Sequence, residues 1–154
     1  MTALTIWKED TLSIKFENKK YTLYNEDTPI TNEYDSLTPC NSSYIIGCIK
    51  DNNSYKYQLI DNNGEKIFGD KQLFELISYN QKLNEFNFFN YYEKITVQFP
   101  ILSKEKNRLF NIFLQKLYNK KIKNIGEFKE IINKVTEKIL TISDKDINII
   151  IENL

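Results

Sequence analysis

The sequence predicts an α+β fold in which an N-terminal antiparallel β-meander packs against two or three C-terminal helices. Two observations predict it. Before Pro100 the apolar residues recur with a period of two between turn-forming residues, and after Pro100 their period is close to 3.6. A length of 154 residues with 41% hydrophobic content suits one core. We therefore expect a single domain over 1–154, with a β-rich part at 1–100 and a helical part at 101–154.

The predicted strands follow one another with turn signals between them. Leu12, Ile14 and Phe16 alternate with polar residues, which is typical of a half-buried strand. Further strands are predicted at 21–23, 43–50, 55–60, 86–92 and 95–99, and another short strand is predicted to end near Tyr34. The segment 72–79 fits either a strand or a short helix. The run from Asp61 to Gly64 is the strongest hairpin signal, because Asn-Gly tolerates the positive φ of a tight primed turn.

Three helices are predicted after Pro100. Ser103 is the expected N-cap of the first helix. Its apolar stripe contains Leu109, Phe110, Phe113, Leu114, Leu117 and Tyr118. A second helix over 125–140 has an apolar face made of Phe128, Ile131, Ile132, Val135 and Ile139. Ser143 and Asp146 form a variant capping box that opens a short last helix, which would bury Ile147, Ile150 and Ile151.

Composition limits the class of protein and its location. The 20 Lys against one Arg, the absence of His and the abundance of Ile, Asn, Tyr and Phe are typical of an AT-rich genome, such as that of a low-GC bacterium or its phage. Charged residues begin at Lys8, too early for a signal segment, and no apolar run approaches the ~20 residues of a spanning helix. We expect a soluble, cytoplasmic protein without a membrane segment. Cys40 and Cys48 are expected to be free thiols, with a pairing across a hairpin as the alternative.

The residue inventory argues against most catalytic chemistry. Without His, no imidazole base or ligand exists, and two cysteines separated by seven residues do not supply four zinc ligands. Gly64 and Gly69 have the glycine spacing of a phosphate-binding loop, but Asp70 stands where its Lys is required. We expect no catalytic residue, no cofactor and no enzyme activity. A carboxylate-dependent enzyme is the remaining alternative, because 21 acidic residues offer many pairs.

A metal site is the less favoured interpretation of the Asp61 segment. Asp61, Asn63 and Glu65 occupy alternating positions, as the ligands of a calcium loop do. Gly64 lies two positions too early for such a loop, and Gln72 stands where its closing Glu is required. A hairpin turn without metal is the prediction.

Two stretches are alike at a spacing of 36 residues, 20–25 and 56–61. The second, continued to Ile67 (KYQLIDNNGEKI), resembles the core of a WG repeat, a family of short stacked β-hairpin units. The segment 32–37 resembles the Tyr-Asp part that closes such a unit. The Trp-Gly pair is absent, and Gln58 stands in place of the Gly. Over residues 12–78 the resemblance implies a protein-interaction scaffold.

The net charge of zero is unevenly distributed. Residues 1–93 carry 9 Lys and 14 acidic residues, residues 94–138 carry 11 basic residues and 4 Glu, and the rest has a balance of −2. On the first helix, Lys104, Arg108, Lys116 and Lys123 project opposite the apolar stripe, with Asn111, Gln115 and Asn119 between them, and Lys120 and Lys121 flank the stripe. One interpretation is that this face is solvated surface. The other is that it is a positively charged binding surface, for phosphates or for an acidic patch on a protein.

Five aromatic rings occur within the seven residues from Phe86 to Tyr92. On a strand, Phe86, Phe88 and Tyr92 face one side, and Phe89 and Tyr91 face the other. Core filling on both faces is the favoured interpretation. An exposed remainder predicts a protein interface, and a platform for stacking bases is the alternative.

These patterns favour a non-enzymatic binding protein, a small inhibitor or adaptor that covers a partner's surface. In composition alone the chain resembles small phage-encoded blockers of bacterial defence, anti-CRISPR proteins among them, which implies a protein partner such as an RNA-containing effector complex. RNA or single-stranded nucleic-acid binding through the basic 104–123 face is the alternative, and the uneven charge also permits self-association. The candidate binding residues are Lys104, Arg108, Lys116, Lys120, Lys121, Lys123, Tyr91 and Tyr92.

Overall fold

Three successive β-meanders precede three helices in the computed structural model, which describes residues 3–69, 73–91, 93–100, 102–118 and 125–152. The strands are β1 (Leu4–Glu9), β2 (Leu12–Glu17), β3 (Lys20–Asn25), β4 (Thr28–Pro29), β5 (Ser36–Pro39), β6 (Tyr44–Asp51), β7 (Ser54–Asp61), β8 (Leu76–Asn80), β9 (Glu85–Asn90) and β10 (Glu93–Val97). The helices are α1 (Lys104–Tyr118), α2 (Ile125–Leu140) and α3 (Asp144–Glu152). This order confirms the predicted α+β fold.

All of these strand pairings are antiparallel, and they form three sheets. Strands β1 to β4 make the first, β5 to β7 the second, and β8 to β10 the third. Strand β1 was not predicted, because residues 4–9 are mostly exposed and a register shift between Thr5 and Trp7 breaks the alternation. The ambiguous 72–79 segment contributes β8, a strand rather than a helix.

Both connections between successive meanders contain the same backbone pairing. Tyr21 exchanges two hydrogen bonds with Tyr34, just before β5, and Tyr57 exchanges two with Phe74, just before β8, all at 2.8–3.0 Å. Tyr21 and Tyr57 are corresponding residues of the two similar stretches that lie 36 residues apart. The sequence similarity therefore coincides with one repeated geometry.

The second sheet is buried on both faces. Tyr44 and Ile46 of β6 face the larger core, which the helices and the third sheet complete. Ile45 of β6 and Ile60 of β7 face a smaller core against the first sheet. Because both faces are apolar, the run YIIGC shows no polar alternation, as expected of a fully buried strand.

The helices bury the faces that periodicity predicts. The buried side chains are Leu109, Phe110 and Leu114 of α1, Ile132, Val135 and Ile139 of α2, and Ile147 of α3. The side chains of Leu117, Tyr118, Phe128 and Ile151 lie outside the described set. At the start of α1 the Lys106 N–H donates to Ser103 Oγ (3.4 Å), which confirms the predicted N-cap. Ser143 Oγ donates to Asp146 Oδ2 (2.8 Å) where α3 begins. No helix in the described ranges is long and apolar enough to cross a membrane.

Candidate binding surface and the polar junction beneath it

The exposed face of α1 carries predicted binding residues in the expected orientation. Arg108 and Lys116 are exposed, eight residues apart on the helix surface opposite Phe110 and Leu114. No carboxylate of a described residue lies within 4 Å of either cation, whereas Lys20 in the β part is paired with Asp35 at 2.6 Å. These two charges are therefore available to an external anion.

Lys104 differs from Arg108 and Lys116. It is half-buried at the N-terminal end of α1, and its charge lowers the pKa of the buried Asp61 carboxyl. Its carbonyl oxygen accepts a hydrogen bond from Asn63 Nδ2 at 3.1 Å. The charge of Lys104 thus acts in part on a buried group inside the fold. The predicted Lys120, Lys121, Lys123 and Tyr92 lie outside the described residues.

Tyr91 is the most exposed aromatic residue among the described side chains, with 79% of its surface exposed. Asn90 pairs with Glu93, so Tyr91 is the first of two residues in the turn that joins β9 to β10. Its φ is 56°, in the left-handed region, which a bulky side chain rarely adopts. The two-residue primed turns require positive φ at this first position, where Asn, Asp and Gly are preferred.

The corresponding turns of the other two meanders follow that preference. The β2–β3 turn is Asn18-Lys19, and the β6–β7 turn is Asn52-Asn53, so each begins with Asn at positive φ. Only in the third meander does a tyrosine occupy this place. Tyr91 is therefore unfavourable for the backbone conformation, and its ring makes no described ring contact that compensates.

The outer face of the third sheet extends the exposed apolar surface near this turn. Leu76, Phe89 and Lys94 form one cross-strand row, with Leu76 40% exposed and the Phe89 ring half-buried. The Lys94 Nζ lies 5.6 Å from the centre of the Phe89 ring, in cation–π range. The opposite face of β9 holds Phe86 and Phe88, both fully buried. Phe86 and Phe88 share one face and Phe89 lies on the other, as predicted, whereas Tyr91 lies in the turn, so core filling is wrong for it.

A buried polar junction lies beneath α1, and sequence reasoning missed it. Asn107 and Asn111 are fully buried on the sheet-facing side of the helix, although Asn111 was expected on the exposed arc. Asn111 Nδ2 donates to Glu65 Oε2 at 3.0 Å. Asn107 Nδ2 donates to Asn62 Oδ1 (3.2 Å) and to the Ser43 carbonyl (3.3 Å). The four-residue spacing of the two asparagines, beside an apolar stripe, was the available signal.

Asp61 is at the centre of this junction and has no exposed surface. Its Oδ1 accepts the backbone N–H groups of Asn63 and Glu65, each at 2.9 Å. This side-chain bonding shapes the turn, so Gly64 adopts positive φ (83°) and Asn63 does not. The predicted tight Asn-Gly primed turn is therefore wrong in type, although the chain reverses where it was expected to.

Burial raises the pKa of Asp61 to about 7, although hydrogen bonds from the Glu65 and Asn63 amides favour the ionised form. The negative charge of Glu65 raises it further, and the positive charge of Lys104 lowers it. Asp61 Oδ2 and Asn107 Oδ1 are buried and have no hydrogen-bond partner among the described residues. Such unpartnered buried oxygens are costly, and more so when the carboxyl is ionised.

The arrangement fits neither a metal centre nor an open catalytic dyad. Within the described ranges no three His, Cys, Asp or Glu residues form a group that could hold a metal ion. Asp61 has no surface that a substrate can reach in this conformation. Cys40 and Cys48 are free thiols, as expected, and burial raises the pKa of the Cys40 thiol to about 12.

Comparison with protein-family models, with curated proteins and with solved structures finds no match to this chain.

Proposed function

We propose that this chain is a non-enzymatic binding protein that covers a surface of a cytoplasmic protein partner, as an inhibitor or adaptor does. Tyr91 is the observation that carries the proposal. An exposed tyrosine occupies a turn position where two equivalent turns of the same chain have Asn. Strained backbone conformations cluster at functional sites, and tyrosine is enriched in protein interfaces.

We propose two contact regions, an apolar one at the third sheet and a cationic one on α1, each on the side that faces away from the core. Tyr91 with Leu76 and Phe89 supplies the apolar region, which suits a protein partner more than a polyanion. Arg108 and Lys116 supply the cationic region, which suits an acidic region of that partner. The composition supports a role among phage-encoded blockers of bacterial defence, in which the partner would be an effector complex.

Replacement of Tyr91 tests this proposal. Y91N places a preferred residue in the turn, so we expect the free energy of unfolding to stay the same or to rise by up to about 1 kcal/mol. We expect the same change to abolish partner binding. Y91F keeps the ring and the strain, and it should keep binding. If Y91N lowers stability and leaves binding intact, Tyr91 has a structural role and the proposal is wrong.

A photo-crosslinking amino acid identifies the partner for this test. Placed at position 91 in host cells, it should give a discrete protein adduct. The matched control is position 55, because Tyr55 is also an exposed tyrosine, 55% exposed, in the second meander. Equal adducts from both positions, or none from position 91, would contradict a contact centred on Tyr91.

Single-stranded nucleic-acid binding through α1 is the second candidate, favoured by the absence of a described carboxylate near Arg108 and Lys116. It predicts binding to a generic single-stranded RNA in fluorescence anisotropy. Affinity should fall steeply between about 50 and 200 mM salt, because bound phosphates release counterions. R108E/K116E should abolish that binding, whereas Y91N should leave most of it. Absence of RNA binding at low salt would leave the protein partner as the remaining proposal.

A further inference from the structure

The turn from Asp61 to Glu65 is fastened to the first turns of α1 by side-chain hydrogen bonds. Asn63 Nδ2 reaches the Lys104 carbonyl at 3.1 Å, Asn107 Nδ2 reaches Asn62 Oδ1 at 3.2 Å, and Asn111 Nδ2 reaches Glu65 Oε2 at 3.0 Å. Three residues of the turn therefore hold α1 at successive positions along its axis. The helix that they hold is the one that presents Arg108 and Lys116.

The shape of this turn depends on Asp61. Both hydrogen bonds to Oδ1 come from turn amides, those of Asn63 and Glu65. Oδ2 and the Oδ1 of Asn107 are buried, and neither has a hydrogen-bond partner in the part of the chain that the structure describes. When Oδ2 carries a proton, the junction loses a buried charge and gains a hydrogen-bond donor.

We propose that this junction is a proton-dependent latch, in which protonated Asp61 holds the 61–65 turn on α1 and loss of the proton loosens it. Charged and titratable groups reach Asp61 from each neighbouring element. Glu65 lies in the turn itself, Lys104 comes from α1, and Tyr44 of β6 is the cross-strand partner of Asp61. Glu65 favours the proton and Lys104 opposes it. Tyr44 stays neutral, because burial and then the charge of Asp61 raise its pKa.

The direction of the effect follows from linkage. Burial raises the pKa of Asp61 from 3.8 to about 7, so the closed junction binds the proton more tightly than the open one. The stabilisation is complete below pH 3.8 and is lost as pH rises through about 7. Fully opening the junction should become about 50-fold easier between pH 5 and pH 7, and about 10³-fold easier between a pH well below 3.8 and a pH well above 7. No His titrates in the same range, because the chain contains none.

Nuclear magnetic resonance of the full chain tests the latch without any partner. The Asp61 side-chain carboxyl carbon should titrate with a midpoint near 7. The side-chain amide signals of Asn107 and Asn111 should follow the same midpoint. Hydrogen exchange in residues 104–114, corrected for the intrinsic pH dependence, should accelerate as pH rises. A midpoint near 4, or helix protection that does not change across the titration, would overturn the proposal.

Two variants separate Asp61 from its neighbour. D61N keeps an acceptor for the Asn63 and Glu65 amides and cannot ionise, so the shared midpoint should disappear from the asparagine signals. E65Q is the matched control, because it also neutralises one carboxyl and keeps an acceptor for Asn111. It should retain the titration, with a lower midpoint since a negative charge has been removed. Retention of the titration in D61N would refute the latch, and the wild-type carboxyl measurement decides the question if D61N does not fold.

Discussion

An added methyl group at Gly47 would be crowded by buried side chains. Gly47 lies in β6 of the second sheet, opposite Leu37 and Gln58. A Cβ at this position would lie 2.8 and 2.9 Å from two ring carbons of Tyr34, and 2.9 Å from Cδ1 of Ile60. Carbon atoms in van der Waals contact are about 3.5–4.0 Å apart, so something must move.

The Tyr34 ring cannot move freely. Its hydroxyl donates to Gln58 Oε1 at 3.1 Å, and its backbone exchanges two hydrogen bonds with Tyr21. Overpacking of this kind costs about 1–3 kcal/mol. Replacing glycine also makes the unfolded chain less flexible, which stabilises the folded protein by about 0.4–1 kcal/mol. We therefore expect G47A to lower the free energy of unfolding by about 1–2 kcal/mol.

Urea unfolding followed by circular dichroism measures this value, with an unchanged m-value as evidence that only stability has changed. A double-mutant cycle with Y34L identifies the cause, since leucine removes the ring atoms that the new methyl group meets. In the Y34L background G47A should cost at least about 1 kcal/mol less. An unchanged urea midpoint for G47A, or the same cost in both backgrounds, would refute the steric argument.

The remaining predictions concern the buried titratable groups. The free energy of unfolding of the wild type, relative to that of D61N, should fall as pH rises from about 4 to 7. The fall should reach up to about 4 kcal/mol, because the pKa of Asp61 is raised from 3.8 to about 7. Parallel stability curves for the two proteins would contradict this prediction. In the folded protein at pH 8, Cys40 should react with iodoacetamide about 10³-fold more slowly than an exposed thiol, because burial raises its pKa to about 12. Unfolding in urea should restore the rate. Fast alkylation of the folded protein would contradict the prediction, since it would show an accessible thiol.

The helices could be predicted from the sequence because their signals are local. Ser103 caps α1, α3 begins directly after Ser143, and the periodicity of 125–140 matches α2 at both ends. Strand β1 could not be predicted, since a bulge and one exposed face remove the alternation on which strand prediction depends. Local pattern thus predicts elements well where a cap or an uninterrupted period is present.

The polar junction could not be predicted for a different reason. Asn111 was assigned to the exposed arc because it was expected to project between the basic residues opposite the apolar stripe, but its partner Glu65 lies 46 residues earlier in the chain. A buried asparagine is tolerated only when such a partner is in place, and the spacing of Asn107 and Asn111 in α1 does not identify that partner. The same holds for Tyr91, since its strained φ is apparent only once the pairing of Asn90 with Glu93 is known.

The comparison of the first two meanders shows how the junction arises. Their backbone bonding is equivalent, since Ile30 N–H donates to Leu23 and Ile67 N–H donates to Leu59. The second connection is one residue longer, and Asp61 occupies the place of Asn25. In the first meander the residues after Asn25 are exposed. In the second, the added residue and the aspartate build a turn that contacts α1. The segment in which the second meander departs from the first is therefore one that joins the β part to the cationic helix by side-chain hydrogen bonds, which is why we place the latch there.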